Sequence, residues 1–331
     1  MPAPLACADC HNDLLRGVTC QRDLGNVDRF GRFWLPQLRA GNVALVVLPG
    51  YTEDWFTGEA ALRRALRTIE TARQIAARHA QDVTLVTTAG ELRETVAAGR
   101  VALLLAFEGM EPVGADIDLI DTFWHLGVRM ASLTWNRRTP FADGLDERES
   151  GAGLSSLGVR AIERMESLGL IIDVSHLSDA GFDHLERVAT RPFVASHSSC
   201  RAVHDHARNL RDDQLLAIAG RGGFVGLNAR AEFVGGAGTV DAFLDHAQHA
   251  VGLIGADKVA LGLDFLADTT VHTLPASAQP GTGFFIEGLE RPADLPAFGS
   301  RLEQRLGHEA ARAVASETLL DALIALLPEG D

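Results

Sequence analysis

Eight short apolar runs recur along the chain, and a stretch with helical periodicity follows most of them. The runs are nearly continuous in apolar residues, which is typical of parallel strands that are buried on both faces. The intervening stretches are amphipathic, as where Leu62, Leu66 and Ile69 repeat at three and four residues. The eight runs are Leu5–Cys10, Val43–Pro49, Val101–Phe107, Val128–Thr134, Leu170–Val174, Pro192–Ser196, Gly223–Leu227 and Val259–Leu263.

Eight such units predict an α/β fold, a closed (β/α)8 barrel of the TIM type, as a single domain over residues 1–331. A doubly wound open sheet is the alternative, but neither Gly-x-Gly-x-x-Gly nor a P-loop sequence follows the first run. Val83–Val86 is predicted to be an additional short strand. Residues 265–300, rich in glycine and proline, follow the last run and are predicted to be a lid or loop insertion, because loops of that length are usually functional.

Charge and cysteine content argue against several classes of protein. Thirty basic and 44 acidic residues give a formal charge of −14, which disfavours a nucleic-acid partner. No apolar run could span a bilayer and the amino terminus does not resemble a signal peptide, so we expect a cytoplasmic protein without a membrane partner. The four cysteines do not form a disulfide framework, and the Cys7–Cys10 pair lacks the second pair that a structural zinc site needs.

Residues with metal-binding or acid–base chemistry follow five of the runs. Barrel enzymes hold their catalytic groups at the carboxyl ends of the strands, so these side chains are expected to meet. Residues two apart in a strand share a face, which lets a His-x-Asp pair converge on one ion. Taken alone, such a pair is more often a hydrogen-bonded buried pair. The residues at these ends are His11, Asp13, Glu108, His176, His197 and Asp264.

Imidazole and carboxylate ligands without a thiolate favour zinc, and they are compatible with manganese, iron or cobalt. The ligands are too few to close two structural sites, and positions left open for water indicate catalysis. Two ions bridged by Glu108 would lower the pKa of a shared water and polarise a substrate carbonyl. We therefore predict a metal-dependent hydrolase of amides or esters. The absence of Gly-x-Ser-x-Gly disfavours a serine hydrolase.

Several segments resemble the motifs of the membrane (renal) dipeptidase family within the amidohydrolase superfamily. The resemblance implies a metallopeptidase that cleaves dipeptides, including L-D dipeptides, with two zinc ions. It implies that His11 and Asp13 hold one ion, that His176 and His197 hold the other, and that Glu108 bridges them. The resembling segments are DCHNDL, AFEG, LTWNRRTPFADG, GLSSLGVRAIERMESLGLIIDVSHLS and VASHSSCRAVHDHARNL.

The same resemblance implies two further roles. Asp264, in LGLDF, would take a proton from the attacking water and deliver it to the leaving amine. Arg208, in ARNL, would bind the terminal carboxylate of the substrate, for which a guanidinium fork is well suited. A homodimer is consistent with the family.

Two positions depart from the family pattern. Mammalian members carry a histidine where this chain has Trp135, and an indole cannot hold a carbonyl oxygen in the same way. Asn136, Arg137 or His272 would have to replace it, or the second metal would suffice, and Trp135 would then only shape the pocket. Leu266 stands where the family often has an aspartate. Two alternatives therefore stay open: an amidohydrolase acting on N-acyl amino acids or another small amide, and a metal-binding barrel without catalysis.

Overall fold

The computed structural model describes residues 4–236, 238–266 and 284–330. The strands in these ranges are β1 (Cys7–Asp9), β2 (Val43–Tyr51), β3 (Val83–Leu85), β4 (Val101–Glu108), β5 (Val128–Ser132), β6 (Ile171–Asp173), β7 (Phe193–Val194), β8 (Val225–Leu227) and β9 (Val259–Leu261). The α-helices are α1 (Leu14–Asp23), α2 (Leu35–Ala40), α3 (Glu59–Arg78), α4 (Ala89–Ala97), α5 (Leu119–His125), α6 (Ser156–Leu168), α7 (Asp179–Val188), α8 (Asp212–Gly220), α9 (Ala231–Val234), α10 (Val240–Ile254), α11 (Leu295–Leu306), α12 (His308–Arg312) and α13 (Thr318–Leu326).

Eight of the strands form a parallel barrel in the order β7-β6-β5-β4-β2-β1-β9-β8. A parallel bridge between Ala195 and Val225 joins the two ends of this order and brings the sheet round on itself. Each predicted run coincides with or overlaps one of these strands, so the (β/α)8 fold is confirmed. The extra strand β3 pairs with β4 at Val101–Leu103. From Leu105 onwards, β5 pairs with the same edge of β4.

Alternate side chains of the strands face two different apolar layers, as the two-residue period of a strand requires. Leu45 and Val47 belong to the layer inside the barrel, whereas Val46 and Leu48 belong to the larger layer beneath the helices. The inner layer is completed from below by the carboxyl-terminal helix α13, through Leu319 and Leu323. The amino-terminal end of the barrel is therefore closed by apolar packing.

Several helices begin at residues with strong capping chemistry. Thr88 accepts a hydrogen bond from the Glu91 amide while Glu91 reaches back to the Thr88 amide, a capping box that starts α4. Ser155, Ser178 and Thr239 cap α6, α7 and α10 in the simpler one-sided way. These caps fix where each helix leaves the loop at the carboxyl end of the preceding strand.

The segment predicted as a lid divides into parts with different structure. Residues 267–283, which include His272, lie outside the described residues. Residues 284–290 run beside α9 and α10 through bridges of Phe285 to Arg230 and of Glu287 to Thr239. From Leu295 the chain is helical, and α11 buries Phe298 and Leu302. In the part of the chain that the structure describes, no helix is both long and apolar enough to cross a bilayer.

Candidate active site

The carboxyl ends of the strands surround a cavity of about 560 Å³, a volume in the range of small-molecule sites. Its floor contains Asp13, Glu108, His176 and Asp264, four of the sequence-predicted residues. One part of its wall carries Tyr51 of β2 and residues that follow β1 and β2, and another part carries residues that follow β8. The wall and rim residues are Arg16, Tyr51, Glu53, Asp54, Trp55, Trp135, Asn136, His206, Arg230, Glu232, Phe233, Leu266 and Phe284.

The five predicted metal ligands lie in one buried cluster around Glu108. Glu108 Oε1 is 2.9 Å from His176 Nε2, 3.3 Å from His197 Nε2 and 3.7 Å from His11 Nε2. Asp13 Oδ1 lies 4.0 Å from His11 Nε2. The position of Glu108 among the three imidazoles agrees with the bridging role that the resemblance implies.

The imidazole rings are held in place by their outer nitrogens. Ser196 Oγ lies 2.7 Å from His197 Nδ1 and donates to Asp173 Oδ2 at 2.5 Å. His176 Nδ1 lies 2.6 Å from Asn136 Oδ1. Both contacts leave the Nε2 atoms of His176 and His197 directed at the cluster, where they lie 3.0 Å apart. Such outer partners orient the rings of metal-binding histidines.

Asp9, fully buried at the end of β1, ties together the backbone that carries the site. Its carboxylate accepts hydrogen bonds from the amides of His11 and Leu263 and from Asn12 Nδ2. The amide of Asp264 in turn donates to the His11 carbonyl at 2.9 Å. The ends of β1 and β9 are thus joined where they supply the candidate ligands and the candidate acid–base residue.

The histidines of the cluster have the protonation state that metal binding requires. Burial lowers the pKa of His11, His176 and His197 well below the ordinary value, so these rings are neutral and present lone pairs. Burial also raises the pKa of Glu108 well above its ordinary value, and neighbouring Asp13 and Asp264 add to that shift. A bound cation would remove this repulsion.

Two unpartnered atoms support the same conclusion. His11 Nε2 and Asp13 Oδ1 are buried and have no hydrogen-bond partner within the described ranges. Such atoms are rare in proteins unless water or an ion satisfies them. The ligand atoms of His11, Glu108 and His197 also lie within 4.8 Å of one another. The residues present therefore fit a metal centre.

Asp264 lies at the edge of the cluster with an unusual backbone conformation. Its φ is 58°, and that of His176 is 71°, a region that residues with a side chain rarely adopt. Asn228 Nδ2 donates to Asp264 Oδ2 at 3.2 Å. Burial raises the pKa of the Asp264 carboxyl, while Arg230 opposes that shift. A carboxylate with a raised pKa is suited to accept and return a proton near neutral pH.

Arg208 is only 4% exposed, although an arginine in ARNL would pass for a surface residue without the family resemblance. Its Nη1 donates to Ser198 Oγ at 2.6 Å. Nε and Nη2 are buried and have no hydrogen-bond partner in the part of the chain that the structure describes. The guanidinium interacts electrostatically with Asp264 and Glu108, so it lies close to the cluster with two donors to spare.

Trp135 packs between two aromatic rings at the cavity wall. Its ring centroid is 5.1 Å from that of Tyr51 and 5.9 Å from that of His176. Asn136 lines the cavity, and its Oδ1 lies 2.6 Å from His176 Nδ1. Arg137 is bound to Asp54 and Glu111. Each of these three side chains therefore has a structural partner in addition to any substrate contact.

Two arginines of the cavity are absent from the sequence-based set. Arg16 follows Asp13 by one helical turn, and Arg230 lies two residues after the Asn228 that holds Asp264. The Arg230 guanidinium stacks over Phe284 at 4.0 Å and donates to Glu232 at 2.7 Å. In the sequence, only the closeness of Arg16 and Arg230 to the strand ends indicates that they could line the cavity. Arginines at such positions are common on protein surfaces, so the sequence did not single them out.

A parallel barrel that gathers neutral imidazoles and buried carboxylates at the carboxyl ends of its strands defines an amidohydrolase-type protein. The sequence model of one family, described as membrane dipeptidase (peptidase family M19), matches residues 3–320. The chain belongs to the membrane dipeptidase family.

Relatives and solved structures give the same family. An uncharacterized dipeptidase of Schizosaccharomyces pombe is 31% identical over 66% of this chain and 54% of its own length. Dipeptidase 3 of Mus musculus is 28% identical over 90% of this chain and 59% of its own length. The chain thus spans little more than half of these curated relatives.

A metallopeptidase of Rhodobacter sphaeroides, solved with a phosphinate mimic of the dipeptide L-Ala-D-Ala, superposes with a TM-score of 0.86 at 25% identity. The superposition covers 97% of this chain and 99% of that one. The likeness therefore extends over the whole barrel, including the strand ends that hold the cluster.

Proposed function

We propose that this protein is a metal-dependent dipeptidase that acts on dipeptides, L-D dipeptides among them. The observation that carries the proposal is the buried cluster of His11, Glu108 and His197, with His176 and Asp13 beside it, on a chain of the membrane dipeptidase family. A small peptide is an appropriate substrate because the cavity above the cluster holds a few residues at most. The related metallopeptidase solved with an L-Ala-D-Ala mimic makes that dipeptide the first to test.

His11 and Asp13 would hold one metal ion, His176 and His197 a second, and Glu108 would bridge them. Two zinc ions suit this set of nitrogen and oxygen ligands. When bound, such a metal pair polarises the scissile carbonyl and lowers the pKa of the attacking water.

Asp264 acts as the acid–base group. Its carboxyl accepts the proton that the attacking water loses and then donates a proton to the leaving amine, so that the amine departs neutral. Asn228 holds one carboxylate oxygen, which leaves the other free for this transfer. The backbone hydrogen bond from Asp264 to the His11 carbonyl keeps the carboxyl next to the cluster.

Arg208 binds the terminal carboxylate of the substrate. Its two unpartnered donors form the fork that matches a carboxylate. Ser198 accepts a hydrogen bond from the third nitrogen and so holds the guanidinium in place before substrate binds. Binding then costs less side-chain conformational entropy. Arg208 interacts electrostatically with Arg230, so the carboxyl-terminal residue of a bound dipeptide would lie toward the wall of Arg230, and the amino-terminal residue would extend toward the wall of Arg16.

The experiment is a screen of the zinc-loaded protein against L-L and L-D dipeptides, with metal-depleted protein as the control. We expect hydrolysis that disappears on metal removal and returns with zinc. Comparing each dipeptide with its carboxyl-terminal amide tests Arg208: the amide should be a poor substrate for the native protein, and Arg208→Met should lose that discrimination. Inactivity on every dipeptide with metal bound contradicts the proposal.

An amidohydrolase for N-acyl amino acids is the second candidate, and Trp135 is the observation that favours it. The Trp135 and Tyr51 rings form an apolar wall next to His176, which would suit an acyl chain. Faster turnover of N-acyl amino acids than of free dipeptides would establish this alternative. A cytoplasmic location and a homodimer stay predictions from the sequence.

A further inference from the structure

Arg16 is a buried cation on the wall of the candidate active site. It lies in the first turn of α1, lines the cavity and is 7% exposed. Its guanidinium carbon is 4.4 Å from the centre of the Tyr51 ring, a cation–π contact that helps to hold the group in place. Nε and Nη2 are buried and, within the described residues, have no hydrogen-bond partner.

The carboxylate nearest to Arg16 is already bound to another arginine. Glu53 Oε1 lies 4.0 Å from Arg16 Nε, beyond hydrogen-bond distance. Glu53 instead accepts from Arg64 Nη2 at 2.6 Å and from Arg64 Nε at 3.0 Å. Arg64 also pairs with Asp23 at 3.2 Å, whereas Arg16 has no carboxylate at hydrogen-bond distance within the described residues.

The other carboxylates near Arg16 have different partners. Asp13 and Glu108 interact with it electrostatically, but both belong to the candidate metal cluster, whose cations would take up their charge. Asp54, further along the same wall, forms an ion pair with Arg137 at 3.1 Å. Buried donors of an arginine that lack a hydrogen-bonded carboxylate are unfavourable, so an anion that reached them from the cavity would be bound favourably.

The position of Arg16 in the barrel specifies which part of a substrate would meet it. In the strand order, β1 and β2 are separated from β7 and β8 by β9 on one side and by β4, β5 and β6 on the other, so Arg16 and Arg208 follow different strands around the cluster. If the terminal carboxylate of a dipeptide binds Arg208, near β7, and the scissile bond lies over the cluster, the amino-terminal residue reaches the wall of Arg16 and Tyr51.

We propose that Arg16 is a specificity residue that binds the side-chain carboxylate of an acidic amino-terminal residue, so that the preferred substrates are dipeptides beginning with L-Glu or L-Asp. The inference rests on the proposed dipeptidase function. The two unpartnered donors of Arg16, at one edge of the guanidinium, bind the carboxylate, and the Tyr51 ring packs against the face of the guanidinium.

The test compares L-Glu-L-Ala with L-Gln-L-Ala, which have the same shape and differ in charge. For the zinc-loaded native protein we expect kcat/KM to be at least about tenfold higher for the glutamyl dipeptide, because a charge-assisted pair discriminates strongly against a neutral analogue. Arg16→Met, which keeps the length of the stem, should bring this ratio close to one. Arg16→Lys should retain part of it.

Arg22→Met is the matched control, since Arg22 is at the other end of α1 and binds Thr71. We expect it to leave the ratio as it is in the native protein. If Arg16 served only to position Asp13, Arg16→Met would slow both dipeptides equally and leave the ratio unchanged, and this outcome would overturn the inference. A native ratio near one would also overturn it. Absence of any dipeptide hydrolysis would instead contradict the proposed function.

Discussion

The two ends of the barrel are built from the same strands but differ in chemistry. At the amino-terminal end, Leu319 and Leu323 of α13 close the interior with apolar side chains. At the carboxyl-terminal end, three neutral imidazoles face carboxylates whose ionised forms are disfavoured by burial. The first arrangement lowers the free energy of the folded chain, whereas the second raises it unless a cation binds. Substitutions at the two ends should therefore affect different measurements.

Glu108→Gln should have the largest effect on activity. The amide keeps the shape of the side chain but cannot bridge two cations as an anion, so we expect kcat/KM to fall by about 10⁴-fold or more. Zinc content, measured on the purified protein, should fall with it. Glu163→Gln, on the exposed face of α6, is the control. Full metal content together with full activity in Glu108→Gln would show that the cluster is not the active site.

Asp264→Asn should separate chemistry from metal binding. Loss of the proton-transfer group is expected to lower kcat by about 10²- to 10³-fold. Zinc content and the unfolding midpoint should stay close to those of the native protein, because Asp264 lies beside the ligands and is held by Asn228. Turnover equal to that of the native protein would remove Asp264 from the mechanism.

Leu323→Ala, at the opposite end of the barrel, should change stability alone. Leu323 is fully buried, and removing its side chain should lower the free energy of unfolding by about 2–5 kcal/mol. The kcat per folded molecule should be unchanged. Leu216→Ala provides the comparison, since Leu216 is 50% exposed and its loss should cost less than about 0.5 kcal/mol. A lowered kcat in Leu323→Ala would mean that the two ends are coupled.

Ser196→Ala should have a moderate effect on the metal site. Ser196 links His197 Nδ1 to Asp173, and loss of such an outer partner typically weakens metal binding by about 10- to 100-fold. Titration with a competing chelator would measure the change, with the exposed Ser167→Ala as reference. Unchanged zinc affinity would assign Ser196 to packing alone.

The smallest response is expected from Cys7, at the apolar start of the strand that later supplies His11. Burial raises the pKa of its thiol to about 12. At pH 8 the thiolate fraction is then about 10³ times smaller than for a free cysteine, so alkylation of the native protein should be slow. The unfolded chain loses this proton at lower pH, so Cys7 disfavours the folded state as pH rises above about 9. Rapid alkylation at pH 8 without unfolding would contradict the burial of Cys7.

The sequence predicted the barrel and the members of the cluster because both depend on local patterns. Apolar runs of strand length identified all eight barrel strands, and polar residues after five of the runs identified the members of the buried cluster, since parallel strands place their carboxyl ends together. The roles proposed for Arg208 and Asp264 required the family resemblance. Neither route singled out Arg16, because its unpartnered donors depend on Glu53 being bound by Arg64, and only the folded structure shows that contact.

The positive φ angles of His176 and Asp264 have a consequence for engineering. A left-handed backbone at a residue with a side chain costs about 1–2 kcal/mol, so the folded chain is destabilised at two of its candidate functional positions. Glycine at either position would relieve this conformational penalty and remove a functional group at the same time. Selection of variants for thermostability alone would therefore favour glycine at these two positions, which would disable the site. A screen for stable variants should also select for catalytic turnover.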